Sequence, residues 1–464
     1  MKKLILYSSL LAFSLSSYSQ DSLMHYLETA AKNNPTVLQR YNENEAALQK
    51  IPQVAGLPDP QLEMGIFLSP MELISGNQVA DIKLMQMFPW FGVIRNAKDE
   101  MSLMAKGKYE LFRDAKLQLC YDVQRTWFEL YKVRQNILIS EKNRELLETI
   151  ERLTLVRFKS GSTLGNPSVS GGNMPGGNTA TNTPASSGMN TMGADAATFS
   201  RSAPLSGSAS MGSTPGGSGL ENVYQIQIEM SSLEDNIASL KNEEQVIVSR
   251  FNSLLNRSQK TTVASVDLLP AEPLDIAYLS AGDSMFTRNP MLGMLQYEQQ
   301  SLTARTAMQK QMSLPMVGLG VNYSVINKSE MSTSAMNGQD MIMPMVTVTL
   351  PIYRNKYKAQ QAETKFLKIA SEQNYTATVN ALKSEYYEAL QLYRDAGRRM
   401  KLYDSQSLLT RKSLDISIKT FSSSASGLSD ILRIRQQMLD YELKLVEAVT
   451  DYNKAEAWVK RLVQ

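Results

Sequence analysis

Two stretches in the second half of the chain alternate apolar and polar residues with a period of two. The first covers residues 315–326, with Val317, Leu319 and Val321 at every second position, and the second covers residues 341–350. Alternation of this kind predicts strands with one apolar face. Each stretch also has about the 9–11 residues that a tilted strand needs to cross a bilayer.

A long helical pattern follows the second of these strands. Residues 353–420 contain no proline, their only glycine is Gly397, and their apolar residues recur mostly at helical spacing. A single helix over this range would be roughly 100 Å long, at about 1.5 Å per residue. A compact domain has no room for such a helix, so the pattern predicts a rod attached to a pair of strands.

The first half of the chain repeats this order of elements. Strands are predicted at 61–69 and 80–88 and a long helix at 94–159. A return helix is predicted after each long helix, at 220–257 and at 428–462. The region between the first two strands is predicted to form a turn of about ten residues.

Asn34 and Asn289, each followed by proline, lie 255 residues apart and mark the start of a helix in each half. Because the same elements follow both, the sequence predicts a duplicated structural unit. We assign the first repeat to residues 20–267 and the second to residues 268–464.

Matching dipeptides open the two return helices. Gly219 and Leu220 open the first, and Gly427 and Leu428 open the second. The chain before the first of these tips carries an insert, residues 160–219, made mainly of Gly, Ser, Asn, Thr, Ala and Pro with four methionines. Such a composition buries too little apolar surface to offset its ordering entropy, so the insert is predicted to be disordered.

The N-terminal residues, the overall charge and the single cysteine limit the class of protein. Residues 1–19 have a basic start, an apolar run and a small-residue end, which predicts a secretory signal peptide. The 48 basic and 45 acidic residues nearly balance, which argues against a nucleic-acid partner. One cysteine, Cys120, excludes an intramolecular disulfide.

The strands also predict how many copies assemble. Four strands cannot close a barrel, for which about eight are needed, and a sheet in lipid must have no open edges. Copies must therefore share one barrel. Eight strands from two copies would be packed shut, whereas twelve from three leave a bore. The expected fold class is mainly α with a β-barrel contribution: a trimer with a 12-stranded barrel on a long α-helical barrel.

This arrangement resembles the TolC-type outer membrane efflux protein family. The resemblance rests on the Asn-Pro helix starts, the strand pairs that end at Pro89 and Pro351, the long helices and the Gly-Leu tips, and it covers the mature chain apart from the insert. It implies a homotrimer in outer membrane lipid of a Gram-negative bacterium, extending into the periplasm. It also implies docking of Gly219, Leu220, Gly427 and Leu428 to a periplasmic adaptor, and an inner-membrane pump of the RND type. No cofactor is implied.

The resemblance further implies a periplasmic constriction near the second tip, formed by Asp430, Arg433 and Gln436. In the family, acidic side chains often stand six and nine residues past the tip glycine, and here those positions hold Arg433 and Gln436. An acidic cation filter is therefore not expected. A threefold ring of Arg433 would repel cations, unless Asp430 or Asp440 pairs with it.

Methionine gives one candidate chemistry. Met341, Met343 and Met345 lie on the strand face opposite Ile342 and Val346, which would point to the lumen of a barrel. Thioethers are soft ligands that favour Cu(I), so the hypothesis is a Cu(I) or Ag(I) cargo, as in the CusC-like heavy-metal branch of the family. The alternatives are that methionine only fills gaps, and that the cargo is an organic toxin or a secreted polypeptide.

No enzymatic site is predicted. His25 is the only histidine, there is no cysteine pair, and no nucleophile stands in a Gly-x-Ser-x-Gly elbow. A structural coiled-coil protein of the cell envelope is the rival from another class. It would explain the long helices, but neither the alternating strands nor the twofold repeat.

Overall fold

The computed structural model describes residues 18–161, 219–264, 269–271, 273–275, 278, 288–333, 335–422 and 427–463. The predicted signal peptide lies outside the described residues except for its last two, and the predicted insert lies outside them except at its ends. The elements are α1 (Tyr18–Asn33), α2 (Pro35–Ala55), β1 (Gln61–Leu73), β2 (Gly76–Phe88), α3 (Val93–Gly161), α4 (Gly219–Leu254), α5 (Pro290–Met312), β3 (Met316–Asn327), β4 (Met341–Thr349), α6 (Arg354–Ser422) and α7 (Leu428–Val463).

The long helices α3 and α6 have 69 residues each, and the return helices α4 and α7 have 36 each. At about 1.5 Å per residue, each long helix spans roughly 100 Å. In the first repeat α4 packs back along α3, and in the second α7 packs back along α6. None of the helices in the described part of the chain has an apolar stretch long enough to cross a membrane.

The strands form one antiparallel sheet of four, in the order β1-β2-β3-β4. The predicted turn between the first two strands is too long. β1 continues to Leu73 and β2 begins at Gly76, so the turn consists of two residues. Gly76 has a φ of +125°, which only glycine adopts without strain, and directly after it Asn77 and Gln78 pair with Glu72 and Met71.

Buried asparagines close each repeat in the same way. The Asn34 side chain caps α2 and donates from Nδ2 to the backbone oxygen of Leu254 at 2.8 Å. Asn289 caps α5 and donates from Nδ2 to the backbone oxygen of Leu462 at 3.2 Å. Leu254 and Leu462 occupy equivalent positions, because 462 − 254 = 208 and 428 − 220 = 208. Each bond ties the start of a repeat to the end of its return helix.

Candidate functional site

The sheet has one continuous apolar face. The register places Leu62 opposite Leu84, Leu84 opposite Val321, and Val321 opposite Pro344. The residues on this face are Leu62, Met64, Ile66, Ala80, Ile82, Leu84, Gln86, Phe88, Val317, Leu319, Val321, Tyr323, Val325, Ile342, Pro344, Val346 and Val348. Many of them face solvent in the single chain, and Ile66 is 80% exposed. An apolar face this large needs an apolar environment.

The opposite face is polar, and it carries the predicted methionines. Met341, Met343 and Met345 all lie on it, as expected from the alternation. Met85 and Met87 of β2 share this face, and sequence reasoning missed them. Their signal was present, since they alternate with Leu84, Gln86 and Phe88, but the less regular pattern of this strand obscured it.

Short polar contacts link neighbouring strands on this polar face. Lys83 Nζ lies 3.0 Å from Glu63 Oε2, across the first hairpin. Ser324 donates from Oγ to Asp81 Oδ1 at 3.0 Å, which joins β3 to β2. Lys83 and Glu63 offset each other's charge, whereas the Asp81 carboxylate keeps its charge and accepts from a neutral hydroxyl.

Both sheet edges are unpaired within the chain. β1 and β4 are the outer strands, so each has one row of backbone groups without a neighbouring strand in the described residues. An open edge is a template for pairing with another strand. In the single chain, the sheet therefore has an uncovered apolar face and two edge strands without a neighbour in the described residues.

The two predicted docking tips differ in exposure. Leu220 is 45% exposed, whereas Leu428 is only 4% exposed and packs in one apolar cluster with Phe421 and Ile431. Gly427 is exposed, and Gly219 is the first residue of α4. Of the two tip leucines, Leu220 is therefore the one available at the surface of the chain.

At the predicted constriction the structure brings two of the three residues together. Arg433 Nη2 lies 3.6 Å from Asp430 Oδ1, one turn away on α7, and both side chains are exposed. Gln436 is exposed further along the same helix. Asp440 pairs with Lys444 at 2.7 Å instead of with Arg433. Asp430 is thus the residue that offsets the Arg433 charge.

A buried ion pair near this tip was not expected from the sequence. Arg435 of α7 is almost fully buried, and its Nη2 donates to Glu229 Oε2 of α4 at 2.5 Å. Burial lowers the pKa of Arg435, and Glu229 partly opposes this. The available signal was the spacing of Arg435 between buried Ile431 and Met438 on α7. The pair joins the two helical hairpins.

The chain has no match among protein-family models. No curated protein matches it either. Solved structures do match its fold. The CmeC outer membrane channel of Campylobacter jejuni aligns with a TM-score of 0.70 at 14% identity, covering 95% of this chain and 85% of that one. The outer-membrane channel OprN aligns with a TM-score of 0.70 at 12% identity, over 96% and 90% of the two chains.

CusC, whose structures concern transmembrane channel formation, aligns with a TM-score of 0.71 at 12% identity and covers 97% of this chain and 95% of that one. Identities this low establish the fold alone. The predicted fold class, mainly helical with a small antiparallel sheet, is confirmed by the model and by these alignments.

Proposed function

We propose that this chain, which has the fold of the TolC-type outer membrane efflux proteins, works as the outer membrane channel of an efflux system in a Gram-negative bacterium. The observation that carries the proposal is the exposed apolar face that crosses all four strands and is joined to two helices of 69 residues. The face fits the lipid of the outer membrane, and the helices extend it into the periplasm.

Assembly of three copies removes both open edges. β4 of one copy pairs with β1 of the next, and repetition of this contact around a threefold axis closes a ring. The ring has twelve strands and a bore, because each copy adds four. The apolar face then points to lipid and the polar face to the bore. The long helices continue the ring as a hollow cylinder.

The helical tips are the proposed contact with a periplasmic adaptor, which connects the channel to an inner-membrane pump of the RND type. Exposed Leu220 supports this role, as does the exposed backbone of Gly427. A Leu220→Glu variant should still form trimers but lose efflux in cells. If efflux persists at the wild-type rate, the adaptor does not use this tip.

The channel is tested by extracting the full chain from membranes in detergent and measuring its mass by light scattering and its conductance in planar bilayers. A conducting trimer is expected. A monomer that stays soluble without detergent would overturn the proposal. An extended dimer would favour the coiled-coil envelope protein.

Two adjacent positions offer a matched pair of variants. Val346 and Thr347 lie side by side on β4 and point to opposite faces of the sheet. Val346→Arg places a charge in lipid, which costs about 2–4 kcal/mol near the bilayer centre, and should reduce insertion. Thr347→Arg places the same charge in the bore and should leave insertion intact while changing ion selectivity. The opposite result would mean that the faces are reversed.

The methionines on the bore face favour soft metal ions, Cu(I) or Ag(I), as cargo over organic toxins or a secreted polypeptide. Thioethers prefer such ions to hard cations. A strain that lacks this chain should grow poorly in copper or silver and recover when the chain is restored. Unchanged metal tolerance together with lost resistance to organic toxins would assign the channel to that other cargo.

A further inference from the structure

The apolar side chains on the polar face of the sheet are of one kind. We consider the paired positions of residues 61–65, 81–87 and 316–324 and of β4. There the polar face carries Gly, Ser, Thr, Asn, Gln and charged residues, and its apolar side chains are all methionines. They are Met85, Met87, Met316, Met341, Met343 and Met345.

The apolar face shows what packing alone selects. Over the same paired positions it holds mainly leucine, isoleucine and valine, together with Gln86, Tyr323 and Pro344, and one methionine, Met64. Methionine is a general gap-filler, so a packing role would place it on either face. Its concentration on the polar face, where Met341 and Met343 are exposed to solvent, points to the sulfur atom rather than to apolar bulk.

Two glycines create space between these methionines. Gly320 pairs with Met85 on one side and with Met345 on the other. Gly318 pairs with Met87 and Thr347, and a Cβ atom there would come within 2.6 Å of Met87 Sδ. The sulfur of Met87 therefore already lies over the β3 backbone.

The register sets the distance that the thioethers must bridge. Neighbouring strands lie about 4.8 Å apart, so the Cα atoms of Met85 and Met345 are separated by about 10 Å across Gly320. Both side chains are flexible and meet no side chain at Gly320, so their sulfur atoms can reach the same ion. Met343 stands one position further along the same face of β4.

We propose that Met85, Met343 and Met345, with Met87 beside them, form a thioether site over Gly318 and Gly320 that binds a monovalent soft cation, Cu(I) or Ag(I). This inference rests on the proposed function, because the proposed channel has the polar face of the sheet pointing into its bore. The ligands are neutral and solvent-accessible, so the ion binds reversibly and can move on.

The test is Ag(I) binding by the full-length protein in detergent, measured by isothermal titration calorimetry in chloride-free buffer. The site variant carries Met85→Leu, Met343→Leu and Met345→Leu, which keep the side-chain volume nearly constant. The matched control carries Met64→Leu, Met104→Leu and Met312→Leu, which are exposed methionines away from the site. The site variant should bind Ag(I) about tenfold more weakly, and the control should bind like the wild type.

Equal affinity in the site variant and the wild type would overturn the inference, as would an equal loss in the control. Conductance of K⁺ in planar bilayers, measured on the same preparations, decides the proposed function separately. A conducting trimer with no site-dependent Ag(I) binding refutes the site alone. A preparation that does not conduct refutes the channel, whatever its affinity for Ag(I).

Discussion

The long helices α3 and α6 have the same length and the same place in their repeats, but their surroundings differ. α3 packs against α1, α2, α4, α5 and α7, and its Leu130 is 1% exposed. α6 packs along α5 and α7 and leaves a row of apolar residues uncovered, among them Phe366, which is 68% exposed. The other large hydrophobic residues that α6 exposes are Leu367, Ile369, Tyr387, Leu392, Leu402, Leu408, Leu409 and Ile416.

The difference bears on the proposed contact between copies of the chain. α6 follows edge strand β4, and α2 precedes the opposite edge strand, β1. α2 exposes Tyr41, and α4, whose Leu254 accepts from Asn34 at the start of α2, exposes Tyr224 and Ile228. Burial of exposed apolar and aromatic side chains is strongly favourable, so the uncovered side of α6 is suited to pack against the exposed residues of α2 and α4. The same helical unit thus serves once as the interior of the chain and once, we infer, as its contact with a second copy.

The largest effect is expected from charges on the uncovered side of α6. The double variant Phe366→Glu, Leu409→Glu should abolish the trimer, because two carboxylates per copy would be buried without partners in the interface. Light scattering in detergent should report a monomer, and circular dichroism should report unchanged helix content. Gln300→Glu, at an exposed polar position of α5 and not on the uncovered side of α6, is the control and should leave the trimer intact. A stable trimer of the double variant would place the interface elsewhere.

In the interior of α3, removal of a buried side chain should cost stability rather than assembly. Leu130→Ala should destabilise the fold by about 2–5 kcal/mol through lost burial and a cavity. Leu409→Ala should change the stability of a dissociated chain little, since that side chain is exposed there. Thermal unfolding measures the contrast. Leu130→Ala is made in the background of the α6 double variant Phe366→Glu, Leu409→Glu, and Leu409→Ala is made in the background of Phe366→Glu alone. Equal losses would mean that the two helices are equally buried.

A smaller effect is expected at Glu129 of α3, whose carboxylate joins the two repeats. Arg125 and Arg250 lie 3.3 and 3.4 Å from it, and Lys454 of α7 lies 3.1 Å from it. Burial acts to raise the pKa of Glu129, but Lys454 and Arg125 together outweigh burial and lower it.

Because its pKa is lower in the folded chain, the stability that Glu129 contributes is present above its unfolded value of about 4.3 and is lost as the pH falls through the folded value. Glu129→Gln should therefore lower the unfolding temperature at pH 7 by an amount equivalent to about 1–3 kcal/mol, with little difference from the wild type below that window. A gap between the two proteins that does not change with pH would show that the charge is not what stabilises the contact.

The smallest effect is expected at Asn34 and Asn289, the asparagine caps that the two repeats have in common. Asn34→Ala and Asn289→Ala each remove a helix cap and a bond to the end of a return helix, at a cost of about 0.5–2 kcal/mol. Asn34 should cost more, since its side chain accepts from the backbone N–H groups of Thr36 and Val37, whereas that of Asn289 accepts from Met291. Urea or thermal unfolding checks the order, and a larger loss at Asn289 would reverse it.

The sequence by itself determined the elements and the class of fold. Period-two alternation placed β3 and β4, and uninterrupted helical periodicity placed α3 and α6, because both signals are local and need no knowledge of neighbours. The methionines of β4 were assigned to one face for the same reason, since alternate residues of a strand point to opposite sides.

Only the tertiary structure decided what stands opposite each residue. Strand pairing brought Met85 and Met87 beside Gly320 and Gly318, and helix packing covered Leu428 while leaving Leu220 exposed. The tight turn before Gly76 also escaped the pattern, because polar residues in an exposed strand look like a loop. Contacts between elements far apart in the chain depend on register and packing, and single-sequence periodicity carries no record of either.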